Sequence, residues 1–148
     1  MNLNLTDKVA MVAAASKGLG LAVATELARE GAKVSICGRN AATLEAAEAT
    51  IRQAVPQAKL LAISADVTNA SSIEQWHAET VRSLGPVNIL VTNTGGPPAG
   101  RFFDLTEAQW QLGMDATIMN VLRMCRHVAP HMKAQRSLEL HHGHFNSN

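Results

Sequence analysis

Two glycines one residue apart, Gly18 and Gly20, stand where a short apolar run gives way to a helix-forming stretch, in the segment Ala14-Ala15-Ser16-Lys17-Gly18-Leu19-Gly20. Glycine here removes side chains that would keep a phosphate from the backbone, and the head of the following helix offers unpaired N–H groups to an anion. Gly-x-Gly alone equally describes a tight turn with no ligand. Its position after a first strand and at the start of a first helix is the context that phosphate binding requires. A second group is Gly38-Arg39-Asn40, at the end of a second apolar run. A dinucleotide without an extra phosphate is usually held there by an acidic side chain; this chain has Arg39, with Lys17 in the glycine turn. Two cations suit a 2′-phosphate, which a guanidinium can bind bidentately, although the same pair also fits solvated surface charge. The pattern therefore predicts NADP(H) in preference to NAD(H).

The elements that must carry these residues alternate regularly. Lys8–Ala13 is a first strand, and the stretch from Leu21 to Glu30 is a helix stopped by Gly31. Lys33–Gly38 is a second strand, favoured by β-branched residues. A helix follows from about Asn40, with Leu44, Ala47 and Ile51 on one face, and Pro56 interrupts it. Lys59–Ser64 is a third strand. Ser71-Ser72-Ile73-Glu74 has the form of a capping box and opens a helix with Ile73, Trp76, Thr80, Val81 and Leu84 inward. Val87–Thr92 is a fourth strand, followed by a loop through Gly95, Gly96, Pro97 and Pro98. Thr106-Glu107-Ala108-Gln109 offers another capping box, and Trp110, Met114, Ile118, Val121, Cys125, Val128 and Met132 then recur at helical spacing as a core face. Apolar strands joined by helices predict an α/β fold: a doubly wound, Rossmann-type parallel sheet of about four strands.

Composition closes off other classes. Of 148 residues, 47% are hydrophobic and 17% charged, which is too apolar for disorder. No apolar run reaches the ~18 residues needed to span a bilayer. The net charge of +1 gives no electrostatic footprint for nucleic acid or for an anionic membrane. The N-terminus lacks a basic region followed by a sustained apolar one, so no signal peptide is expected. Cys37 and Cys125 lie far apart without metal-ligand spacing and fit a reducing cytoplasm.

The glycine turn, Asp66-Val67 and Thr92-Asn93-Thr94-Gly95 together resemble the short-chain dehydrogenase/reductase family, especially its 3-oxoacyl-carrier-protein reductase branch, from about Thr6 to about Gln135. The resemblance implies the strand order 3-2-1-4 and cofactor contacts from Ala14, Ser16, Lys17, Gly18, Leu19, Gly20, Arg39, Asn40, Asp66, Val67, Asn93, Thr94 and Gly95. Asp66 and Val67 match the adenine-contacting pair, and Asp66 can also cap the turn that follows it. Thr92-Asn93-Thr94-Gly95 stands in place of Asn-Asn-Ala-Gly and is expected to support the sheet and present backbone near a ribose. The family turn usually begins Thr-Gly, where this chain has Ala13-Ala14; a methyl group at Ala14 is compatible with binding provided its backbone avoids positive φ. The family reduces ketones by hydride transfer, with Ser…Tyr-x-x-x-Lys supplying the carbonyl holder, the acid and the pKa-lowering lysine. This sequence contains no tyrosine, and Lys133 is its last lysine. The family's supporting asparagine falls on Thr117, with Asn120 one turn further, and neither is assigned to catalysis.

Residues 1–136 thus read as the dinucleotide-binding half of such an oxidoreductase, and 137–148 as a polar, His-rich tail in place of the next strand. His141, His142 and His144 in that tail fit adventitious metal binding better than a built site. The expectation is an NADP(H)-binding polypeptide that is inactive alone; the alternatives are a non-catalytic nucleotide-binding or interaction module, or a frameshifted fragment. An uncovered fourth strand and the apolar last helix predict homo-oligomerisation, with the tail, through Leu138 and Leu140, another candidate cover for the strand.

Overall fold

The computed structural model describes residues 3–135, so the expectations for the tail lie outside the described residues. Four strands, β1 (Val9–Val12), β2 (Lys33–Gly38), β3 (Leu60–Ser64) and β4 (Ile89–Val91), form one parallel sheet in the order β3-β2-β1-β4. The connecting helices are α1 (Gly18–Arg29), α2 (Ala41–Ala54) and α3 (Ala70–Leu84). After β4 come a short 3-10 turn (Phe102–Asp104), α4 (Glu107–Met114), a π-helical turn (Asp115–Met119) and α5 (Asn120–Ala134). The order is the expected 3-2-1-4; β2 keeps its expected bounds, and β1, β3 and β4 are each shorter by one or two residues at one or both ends.

Strand side chains alternate between faces, and the core divides accordingly. Val12, Val34 and Ile36 pack with Ala24 and Ala28 of α1 and with Leu44, Ala47 and Ile51 of α2. Val9, Met11 and Cys37 pack on the other side with Ile73 and Trp76 of α3 and Met124, Val128 and Met132 of α5. A buried polar network crosses this second layer. Trp76 Nε1 donates to Ser35 Oγ at 2.9 Å, Ser35 and Thr80 hydroxyls lie 2.8 Å apart, and Thr80 Oγ1 donates to the Trp76 carbonyl at 2.8 Å. Each polar group therefore has a partner, which makes burial of all three tolerable.

Three expectations are corrected. The cap of α3 is Asn69, whose side chain accepts from Ser72 N, rather than a box at Ser71; an asparagine held by the preceding Asp66 turn reaches the orphan donors first. Val81 is exposed, because the face turned to the sheet is narrow. The core face of the last helix is also different. Trp110, Met114 and Ile118 are close to half exposed, whereas Asn120, Met124, Val128 and Met132 are buried. The π-helical turn accommodates an additional residue and rotates the apolar stripe relative to a continuous α-helix. Cys125 is half-buried against the core. The capping box at Thr106 forms as expected.

Ser35→Ala would strand the indole N–H of Trp76 in the core, so unfolding in urea should show a loss of about 1–3 kcal/mol. Between α3 and α5 the His77 ring stacks on His127 with centroids 5.5 Å apart. Burial, then the neighbouring charges of His127 and His131, hold His77 below its usual 6.5. The unfolded chain therefore takes up a proton near pH 6.5 that the folded chain resists: this contribution is full above 6.5 and declines as pH falls towards the lower folded value. Urea midpoints should drop between pH 7 and pH 5.5, and His77→Gln should flatten that slope.

Candidate functional site

The four strands end on the same side of the sheet, and the loops that leave them enclose a cavity of about 370 Å³. Its wall comes from Ala14, Ser16, Lys17 and Leu19 after β1, Arg39 after β2, Asp66 and Val67 after β3, and Asn93, Thr94 and Gly95 after β4. A crevice at the carboxyl ends of parallel strands, beside the central β1–β4 pair, is where open α/β sheets bind ligands. Ten of the thirteen residues singled out from the sequence thus meet in one place.

The other three have different positions. Gly18 heads α1 at φ +58°, with open space where a side chain would project, so its value is conformational freedom. Gly20 is buried. A Cβ there would lie 2.7 Å from Asn93 Nδ2 and 2.8 Å from the Ala14 carbonyl, so this glycine admits close packing of α1 rather than access for a phosphate. Asn40 caps α2, accepting from Thr43 N at 3.0 Å, and does not line the cavity.

The turn itself is held from both sides. Ala13 N donates to the Val91 carbonyl at 3.0 Å and Ala15 N to the Cys37 carbonyl at 2.9 Å. Asn93 Nδ2 donates to the Ala14 carbonyl at 3.1 Å, tying the end of β4 to the end of β1. Between these bonds Ala14 sits at φ +47°. The condition under which its methyl group would be unstrained is not met: the left-handed conformation that glycine adopts freely is imposed on an alanine. Burial, partly offset by a hydrogen bond from the Ala14 backbone and reinforced by Asp66, pushes the nearby Cys37 thiol up to about 12. It remains a neutral, inert core group at physiological pH.

Helix ends distinguish this site from its surroundings. Side chains of Asn40, Asn69 and Thr106 cap α2, α3 and α4. No side chain caps α1, whose N-cap residue is Lys17 in extended conformation. The first-turn amides without a side-chain cap and the positive end of the α1 dipole could receive an anion at the cavity. Lys17 and Arg39 add exposed cations at its rim. Asp66 performs the capping role open to it: its Oδ1 accepts from Thr68 N at 2.9 Å and from Thr68 Oγ1 at 2.8 Å.

Sequence reasoning missed Ala65, Thr68, Gly96 and Ala116 as lining residues. The first three adjoin residues it did find. Ala116 comes from the π-helical turn, which no local pattern announces. Within and just beyond that turn, Thr117 is exposed and bonds its hydroxyl to the Gly113 carbonyl at 2.7 Å, whereas Asn120 is buried and accepts from Val121 N. Among the described residues no cluster of His, Cys, Asp or Glu is arranged to hold a metal, and no helix is long and apolar enough to cross a membrane.

With this geometry the chain matches the family described as short chain dehydrogenase over residues 8–138. It belongs to that family. An uncharacterized oxidoreductase of Staphylococcus aureus (strain USA300) is 30% identical over 133 residues, covering 90% of this chain and 56% of the relative. A provisionally named ketoacyl reductase of Streptomyces coelicolor is 32% identical over 133 residues, 90% of this chain and 49% of its own. The chain spans about half the length of the curated relatives it matches. Among solved structures, L-sorbose reductase from Gluconobacter frateurii, complexed with NADPH and L-sorbose, superposes with a TM-score of 0.85 at 26% identity, covering 91% of this chain and 51% of that one. An NADPH-bound short chain oxidoreductase from Pseudomonas aeruginosa PAO1, described as containing an atypical catalytic center, gives 0.82 at 32% identity, with coverage of 88% and 51%.

Ala14→Gly should stabilise the chain by about 1 kcal/mol by relieving the left-handed alanine. A rise in the urea midpoint with an unchanged m-value would register it.

Proposed function

We propose that residues 1–136 form a dinucleotide-binding unit that takes NADP(H) in preference to NAD(H), within an oxidoreductase lineage that interconverts ketones and alcohols. The observation that carries the reading is that Lys17 and Arg39 both line a cavity beside the uncapped start of α1. The amides of α1 and Gly18 would receive the pyrophosphate, and the two cations the 2′-phosphate. Asp66 and Val67 would face the adenine, while Asn93, Thr94 and Gly95 would border the nicotinamide-side ribose. When bound, NADPH supplies the hydride. The chain's own residues hold and orient it, and their cationic rim discriminates against a cofactor without the extra phosphate.

The sequence contains no tyrosine to act as the acid that protonates a reduced carbonyl. In this reading the 148-residue chain therefore binds the dinucleotide without turning over a ketone on its own, as a binding half. NADPH-bound relatives such as the Gluconobacter enzyme support the cofactor preference. The exposed apolar side chains of Trp110, Leu112, Met114, Ile118 and Leu122 support self-association of this unit, which light scattering would read directly.

In a fluorescence titration the chain should quench or enhance NADPH emission with a markedly lower Kd than for NADH. Arg39→Ala should raise the NADPH Kd about tenfold, equivalent to about 1.4 kcal/mol, and leave NADH unchanged. Equal losses for the two cofactors would refute the 2′-phosphate assignment.

A further inference from the structure

The π-helical turn and the loop after β3 form two walls of the cavity, through Ala116 and through Asp66, Val67 and Thr68. One side chain bridges them. Arg123 of α5 places Nη2 3.1 Å from Asp115 Oδ1, and its Nη1 donates to the Thr68 carbonyl at 3.0 Å. The other oxygen of Asp115 accepts from Gln111 Nε2 at 3.2 Å. Both charged side chains are about three-quarters buried, at 26% and 22% relative exposure, so their attraction is less screened than that of a surface pair. The pairing depends on the π-turn. Residues eight apart on a regular α-helix point about 80° away from each other, and absorbing one additional residue brings them to within about 20°.

We infer that Arg123 is a positioning residue for the adenosine end of the nucleotide site. It does not line the cavity. It acts through the Thr68 carbonyl, and Thr68 in turn donates twice to Asp66 Oδ1, leaving Asp66 Oδ2 without a part in that turn and available to an amino group of a purine. The guanidinium suits this task because it is a planar fork that can serve a carboxylate and a carbonyl together, which a lysine cannot reproduce. With Arg123 removed, the loop loses its fixed distance from Ala116, and the slot that receives the purine widens.

The inference rests on the dinucleotide reading above, and the test separates the two. Wild type, Arg123→Lys, Arg123→Met and Asp115→Asn are titrated with NADPH and with 2′,5′-ADP, which keeps the adenosine and the 2′-phosphate but has no nicotinamide. Circular dichroism and urea midpoints accompany each titration. All three variants should weaken NADPH and 2′,5′-ADP by the same factor, five- to tenfold, with Arg123→Lys failing to restore affinity although it keeps the charge. Affinity unchanged in Arg123→Lys, or a loss for NADPH that 2′,5′-ADP does not share, would overturn the positioning role. A lowered urea midpoint with unaltered affinity would do the same by reducing Arg123 to a structural tie. Should Arg123→Met not fold, Arg123→Lys and Asp115→Asn decide the matter by the same criteria. Wild type binding neither ligand would instead refute the dinucleotide reading.

Discussion

The close approach of α1 to the ends of β1 and β4 is the constraint on which the site depends. At Gly20 there is room for a hydrogen atom and nothing more: a Cβ would meet Asn93 Nδ2, the Ala14 carbonyl and the Ala15 backbone within 3.0 Å. That proximity lets Asn93 donate to the Ala14 carbonyl and lock two strand ends together. It also aims the start of α1 at the cavity instead of past it. The turn is over-determined, with bonds from Ala13 to β4 and from Ala15 to β2, and a left-handed alanine persists inside it. Strain at one residue is sustained because the neighbours leave it no other path.

Electrostatics follows from this arrangement. Three helices finish their N-termini with their own side chains, and α1 does not. A buried helix end without partners would be costly, whereas an end beside an open cavity with two exposed cations is free to face an anionic ligand. The first-turn amides without a side-chain cap, the exposed Lys17 and the exposed Arg39 would act in the same direction on an anion. The acidic side chain in the cavity wall, Asp66, follows β3, the strand paired with β2, and is engaged with Thr68 on one oxygen.

The two faces of the sheet do different work. Small residues of α1, Ala24 and Ala28, let that helix lie close against β1 and β2. The opposite layer is built from larger groups, Trp76, Met124 and Met132, and carries the polar network through Ser35. From that layer the π-helical turn contributes Ala116 to the cavity and places Asp115 beside Arg123, so packing behind the sheet reaches the site in front of it. β4 is the last strand of the described sheet, in a chain that spans about half the length of its curated relatives.

How much of this was legible in the residues themselves depends on the range of the forces involved. Apolar runs, glycine stops and helical spacing are local, and they determined the four strands and their alternation with helices; the order 3-2-1-4 and most of the ten cavity residues came from the family resemblance that the short motifs carry. The Thr106 cap was equally readable, because a capping box closes within four residues. Asn69 was passed over for Ser71, since the choice between neighbouring caps is made by the Asp66 turn that precedes them. The sequence by itself thus determined the fold and the chemistry available at the strand ends. Only the tertiary structure decided that Gly20 serves packing, that Ala14 is held left-handed, and that a π-turn swings Trp110 and Met114 outward while bringing Arg123 to Thr68. Those outcomes depend on atoms as much as 79 positions apart in the chain meeting within hydrogen-bond distance, as Asn93 and Ala14 do, and no spacing rule carries that information.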